Sequence, residues 1–212
     1  DLSEHIRSDL DIDLLKRTPS SFLGSCRYKL PPIKGNTEVY DKIFEILEKL
    51  EVEYFFYIGG NDSMDTALKL SQYAASIGSD VRVIGVPKTI DNDLCLTDHT
   101  PGFGSAAKYI ASTILEIAHD TFSYPVPSVT IVEIMGRDAG WLTSASALAR
   151  NEYNTAPHLI YLPEAPFDTA QFLADVKELL KKQNTVIIAV SEGIRDKNGN
   201  YISAASQTTD GL

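Results

Sequence analysis

The sequence is poor in the residues that build metal centres and disulfide frameworks. Its 212 residues include two cysteines, Cys26 and Cys95, and four histidines, His5, His99, His119 and His158. The cysteines lie far apart and match no zinc spacing, so they read as ordinary thiols of a reducing compartment rather than a disulfide. The scattered histidines argue against a zinc centre. No apolar run reaches the roughly 18 residues that span a bilayer, and no signal peptide opens the chain. The first residue is Asp1 rather than a methionine, the start expected of a processed or excised chain. Positive charge is in deficit as well: 19 Lys and Arg against 29 Asp and Glu leave a net charge of −10. With no block of like charge, a nucleic-acid groove or an anionic membrane surface is excluded as the main role, while a local cationic pocket is still allowed. Glycine and proline, at 13 and 10, are too few for a fibrous or low-complexity chain.

What the sequence does have is alternation. Residues 1–36 are polar and punctuated by Pro19, Gly24, Pro31, Pro32 and Gly35, and they read as irregular. From residue 37, Val39, Ile43, Phe44, Ile46, Leu47 and Leu50 recur at helical spacing. The aromatic run 54–58 follows as a strand, then a helical period over 65–76 and a strand over 81–86. The same reading predicts helices over 105–118, 141–150 and 169–182, and strands over 129–134, 158–162 and 185–190. Five apolar strands separated by helices predict an α/β fold with a parallel sheet covered by helices on both faces.

In such sheets ligands bind beyond the carboxyl ends of the strands. Four of the five predicted strands end there in small and charged residues: Gly59, Gly60, Asn61 and Asp62; Pro87 to Asp93; Gly136 and Arg137; and Glu192 with Gly193. Gly59 and Gly60 allow close backbone approach, and the helix behind them aims its N–H groups at the loop, which suits a phosphate. The loop Lys88, Thr89, Ile90, Asp91, Asn92, Asp93 is denser in chemistry. Phosphoryl transfer to an alcohol needs a carboxylate to take the hydroxyl proton, cations on the phosphate oxygens, and usually magnesium. Asp91 is the candidate base, Lys88 and Arg137 are candidate phosphate clamps, and Asp93 is a candidate support for the metal. An Asp-Asn-Asp run is also a common surface turn, though it lacks the glycine and distal glutamate of a helix-loop-helix calcium site. Gly102, Gly104 and Ala107 fit a loose dinucleotide pattern, but no strand immediately precedes them, and no G-x-S-x-G elbow is present.

Taken together, these segments resemble the 6-phosphofructokinase family and look like its pyrophosphate-dependent branch. The matching stretches are 22–28, 59–63, 87–93, 101–107, 135–140, 163–167 and 191–193, in the family's order. The pairing of Thr89-Ile90-Asp91-Asn92-Asp93 with Met135-Gly136-Arg137 is the most specific of them. The resemblance implies doubly wound, mostly parallel sheets in two Rossmann-like lobes, both incomplete. Residues 1–104 would form the phosphoryl-donor domain and 105–212 the fructose 6-phosphate domain. It implies Asp91 as the base toward the sugar 1-hydroxyl, and Thr89 and Ile90 beside the transferring group. Met135, Gly136, Arg137 and Glu192 would hold the sugar phosphate. Arg27, Gly59, Gly60, Asp62, Ser63 and Lys88 would face the donor. Magnesium is the implied cofactor, with Asn61, Asp62 and Asp93 as candidate ligands.

Donor choice has a physical side. ATP-using relatives carry glycine where this chain has Asp62 and a second glycine where it has Lys88. A carboxylate at 62 adds bulk and negative charge against a nucleotide α-phosphate, and a cation at 88 neutralises the phosphate that leaves pyrophosphate. The expectation is therefore reversible phosphoryl transfer from pyrophosphate to fructose 6-phosphate by a cytoplasmic homo-oligomer, a homodimer being favoured. An ATP-dependent kinase and a non-catalytic sugar-phosphate-binding subunit are the alternatives. The family's first strand and glycine-rich donor loop are expected before residue 1 and its closing segments after residue 212, so the 212 residues alone are expected to turn over little.

Overall fold

A computed structural model describes residues 4, 6–18, 24–25 and 28–203. The order of elements is α1 (Asp9–Arg17), α2 (Thr37–Lys49), β1 (Tyr54–Gly59), α3 (Asn61–Ile77), β2 (Arg82–Pro87), α4 (Phe103–Phe122), β3 (Ser128–Ile134), α5 (Trp141–Ala145), a 3-10 turn (Ser146–Ala149), β4 (Leu159–Tyr161), α6 (Thr169–Leu180) and β5 (Thr185–Ser191). All strand pairs are parallel, as the helix-separated strands predict.

The strands form two sheets, in keeping with the two lobes that the family resemblance implies. β1 pairs with β2, and the second sheet runs β3-β5-β4 with β5 in the middle. In the first, Phe55 and Val83 pack with Tyr40, Phe44 and Leu47 of α2 and Leu70, Tyr73 and Ala74 of α3. Tyr40 and Tyr73 have ring centroids 4.9 Å apart, and the Tyr73 hydroxyl donates to Asp41 Oδ1 at 2.5 Å. The opposite face carries Tyr54, Phe56 and Ile58, all more than half exposed, so among the described residues helices cover one face of this sheet.

The second sheet has helices on both faces, and β5 shows why. Its residues Val186 to Ala189 are fully buried, as befits the central strand of a parallel sheet. Val186 and Ile188 face Val176 and Phe172 of α6. Ile187 faces Ala118 of α4, and Ala189 joins Ile134 and Leu142 on the α4–α5 side. Ile90 and Phe103, from the connection between the two sheets, pack into that last cluster.

Three further differences have local causes. The helix α1 lies inside the stretch read as irregular: Ser8 caps it, Asp9 and Asp11 occupy its first turn and Lys16 and Arg17 its last, but it buries no residue and so leaves no core-facing periodicity. The helix after β1 begins at Asn61, one turn before its apolar period, because Gly60 serves as the N-cap. The helix predicted over 141–150 is a short α-turn continued as a 3-10 turn that stops at Arg150. Cys95 is an exposed free thiol; Cys26 lies outside the described residues, as does Arg27.

Candidate active site

The carboxyl ends of β1, β2, β3 and β5 supply the polar residues, and the contacts between them tie the two sheets together. At the first sheet the Lys88 N–H donates to the Gly59 carbonyl at 2.7 Å, extending the β1–β2 ladder into the loop. Gly59 has to be glycine, since a Cβ there would overlap the Ser63 side chain. Gly60 caps α3 without a side-chain hydrogen bond, and Asp62 lies in the first turn of that helix. Asp62 and Lys88 are both exposed. Asn61 Nδ2 donates to Asp93 Oδ2 at 2.9 Å, joining the start of α3 to the loop after β2. Asp93 Oδ1 is buried and has no hydrogen-bond partner.

The loop between β2 and α4 is folded around Asn92. This residue is buried and sits in the left-handed region at φ 58°, a conformation asparagine tolerates better than most. Its Oδ1 accepts the Thr100 N–H at 2.9 Å, and its Nδ2 donates to the Asp98 carbonyl at 3.2 Å. Thr89 is buried, and its hydroxyl accepts the Asp91 N–H at 3.2 Å. Ile90 anchors the loop by packing onto the second sheet's core. Asp91 is left facing Arg137, with Oδ2 at 3.8 Å from Nε. Its side chain is only 13% exposed, whereas that of Arg137 is 60% exposed and free to turn toward a ligand.

Arg137 sits on a tight turn after β3. Gly136 has φ 145° and Arg137 φ 52°, and the Ala139 N–H closes the turn onto the Gly136 carbonyl at 2.9 Å. Glu192 Oε1 accepts both the Gly136 N–H at 3.0 Å and the Arg137 N–H at 2.8 Å. Gly193 lies so close under the Arg137 carbonyl that no Cβ fits. At the far end of the turn Glu164 Oε1 accepts the Gly140 N–H at 2.7 Å. Met135, at the tip of β3, is exposed beside Arg137.

A helix start with no side-chain cap, a largely buried carboxylate and two cations suit phosphate-centred chemistry. The comparisons with known proteins agree with that reading. The phosphofructokinase family model matches residues 3–211. The chain belongs to the phosphofructokinase family.

Among curated relatives, the pyrophosphate--fructose 6-phosphate 1-phosphotransferase of Xanthomonas campestris pv. campestris is 46% identical over 201 residues, covering 94% of this chain and 48% of its own length. The enzyme of the same name from Halomonas elongata is 44% identical over 203 residues, covering 95% and 48%. A crystal structure of the pyrophosphate-dependent phosphofructokinase of Marinobacter aquaeolei superposes with a TM-score of 0.78 at 42% identity, over 93% of this chain and 48% of that one. The chain therefore spans about half the length of the relatives it matches, and it shares the fold of the solved structure over that span.

Apart from Arg27, which lies outside the described residues, the residues singled out by sequence lie at or just after the four strand ends. Asn61 and Asp93 touch, Asp91 and Arg137 face each other, and Glu192 holds the turn that carries Gly136 and Arg137. Residues given no role by sequence also shape the site. Asn92 organises the loop, Glu164 ends the Arg137 turn, and Asp138, Arg195 and Tyr201 form a cluster beside it. Asn92 and Glu164 lay inside quoted motifs, so a question about who satisfies the buried loop backbone finds them. Arg195 and Tyr201 carry no such signal. No helix among the described residues is long and apolar enough to cross a membrane.

Proposed function

We propose that the protein transfers a phosphoryl group between pyrophosphate and the 1-hydroxyl of fructose 6-phosphate, reversibly, giving fructose 1,6-bisphosphate. The observation that carries this reading is the largely buried Asp91 carboxylate held opposite Arg137 on a loop that begins at Lys88, beside the Gly60-capped start of α3. In this reading Asp91 takes the proton of the attacking hydroxyl. Arg137, with the turn around Met135 and Gly136, holds the sugar phosphate, and Glu192 hydrogen-bonds sugar hydroxyls with its second carboxylate oxygen. Residues 1–104 act as the donor domain and 105–212 as the sugar-phosphate domain. Gly59, Gly60, Ser63 and Lys88 receive the pyrophosphate, Thr89 and Ile90 border the transferring group, and Arg27 faces the donor. Asp62 excludes a nucleotide by placing negative charge where its α-phosphate would lie.

Magnesium fits this site as an ion shared with the donor. Among the described residues no group of three or more His, Cys, Asp or Glu stands ready to cage a metal, but the buried Asp93 Oδ1 lacks a partner. Magnesium is commonly held by one or two carboxylates together with substrate phosphates. Asp93 would hold it, with Asn61 and Asp62 adjoining, and its charge would neutralise donor oxygens during transfer. The names of the relatives support pyrophosphate and fructose 6-phosphate as substrates, and a cytoplasmic homodimer is the assembly we propose.

The test is turnover of the protein at its full natural length with fructose 6-phosphate and either donor. Pyrophosphate is expected to support the reaction and ATP not to. Activity with ATP alone overturns the donor assignment, and tight sugar-phosphate binding without turnover by either donor makes the protein a regulatory subunit.

A further inference from the structure

The turn that carries Arg137 is strained, since left-handed backbone at a non-glycine residue is disfavoured and persists only where its surroundings hold it. Glu192 and Gly193 fasten its first half. We infer that Asp138 fastens its second half and is a positioning residue for Arg137, docked on a small hairpin formed by residues 194–202. This inference rests on the reading of Arg137 as the cation that holds the sugar phosphate.

Asp138 Oδ1 accepts from Arg195 Nη2 at 2.6 Å and from the Tyr201 hydroxyl at 2.8 Å. Arg195 and Tyr201 also hydrogen-bond to each other, and the guanidinium carbon lies 4.2 Å from the Tyr201 ring centroid. The two residues face each other across an antiparallel bridge, so one carboxylate oxygen grips both sides of the hairpin. The hairpin is itself well fastened. Asp196 Oδ1 accepts the N–H groups of Asn198 and Asn200 at 2.8 and 2.9 Å, closing its tip. Its base is closed by the Ile202 N–H on the Ile194 carbonyl at 3.1 Å, and the Arg195 carbonyl accepts the Phe167 N–H at 2.7 Å. The Tyr201 and Arg195 hydrogen bonds hold the Asp138 carboxyl below its ordinary pKa, keeping it charged.

A surface ion pair of this exposure ordinarily contributes little to stability. What sets this one apart is its place, directly after the strained residue and on the side that Glu192 does not hold. Releasing Asp138 lets the turn relax, and the Arg137 guanidinium drifts from its station opposite Asp91. Its effect then falls on the sugar phosphate and leaves the donor side untouched.

The experiment compares Asp138→Asn and Tyr201→Phe with wild type in the full-length protein, using steady-state kinetics, thermal melting and amide exchange at Gly136 and Arg137. Both variants are expected to raise KM for fructose 6-phosphate about 5-fold or more, the scale of one net hydrogen bond of ordinary strength. KM for pyrophosphate, kcat and melting temperature should stay close to wild type, while the two amides exchange about 10-fold faster. Unchanged sugar-phosphate KM with unchanged exchange overturns the inference, as does a parallel loss of every kinetic parameter with a lowered melting temperature. Should Asp138→Asn not fold, Tyr201→Phe, which removes a single hydroxyl, decides alone. Where wild type does not use fructose 6-phosphate at all, the proposed reaction fails and the exchange rates still decide the positioning role.

Discussion

Glu192 reaches back across 55 residues to accept the Arg137 N–H at 2.8 Å, with the same oxygen that accepts the Gly136 N–H. One carboxylate oxygen is thereby committed to the protein's own backbone, and the other is left for a ligand. The residue that contacts the sugar in the proposed reaction is also the residue that shapes the turn holding its phosphate.

Glu192→Gln keeps an acceptor for both N–H groups but removes the charge, whereas Glu192→Ala strands two donors. Hydrogen bonds to charged groups contribute about 1.5–3 kcal/mol. The alanine variant is therefore expected to raise KM for fructose 6-phosphate at least about 10-fold more than the glutamine variant does. Equal effects in steady-state kinetics of the full-length protein would show that the backbone contacts are immaterial.

Asp91→Asn removes the candidate base while preserving the shape of the loop. Loss of a general base typically costs about 100- to 10,000-fold in rate, so kcat is expected to fall into that range with fructose 6-phosphate binding retained. Calorimetric titration with the sugar phosphate, alongside the rate assay, separates the two quantities. A variant that retains most of its turnover places the base elsewhere.

Gly193→Ala puts a methyl group into the Arg137 carbonyl, whereas Gly199→Ala meets open space and pays only for its positive φ. The first is expected to cost several times the ~1 kcal/mol of the second. Denaturant midpoints of the two variants check this, and similar values for both would mean that the 136–139 turn can move aside.

His158 gives the fold a pH dependence of known sign. Its Nδ1 accepts the Ile187 N–H at 2.9 Å, a bond only the neutral ring can make. Burial lowers its pKa below the ordinary value near 6.5, and the Arg150 charge adds to the shift. The unfolded chain therefore takes up the proton first as pH falls. The stabilisation is complete above about pH 6.5 and is lost as pH drops toward the lowered folded value. Urea midpoints between pH 7.5 and 5.5 should fall more steeply for wild type than for His158→Gln, and identical slopes would refute the assignment.

How much of this was legible in the sequence depends on the range of the interaction. Apolar periodicity exposed α2, α4, α6 and the strands, because each of them buries a face. It missed α1, whose Leu10, Ile12 and Leu14 are exposed and whose ends are held by local charge and the Ser8 cap. It also suggested one sheet, since strand patterns do not say which strands pair. Among the described residues β1 pairs with β2, and the Tyr40, Phe44 and Tyr73 cluster packs against that pair. Asp91 and Arg137 stood out because charged residues at strand ends are chemically conspicuous. Arg195 and Tyr201 did not, because their partner Asp138 lies 57 and 63 residues away.

The exposed side chains of Asp62 and Lys88 contrast with the crowded turn at Arg137. A substitution at either exposed position meets solvent, whereas one at Gly136 or Gly193 meets backbone. The two ends of the site are therefore unequally free to drift. In the proposed reaction, a lineage can exchange its phosphoryl donor through one or two surface changes without disturbing the sugar end, while a change of sugar requires several coordinated replacements.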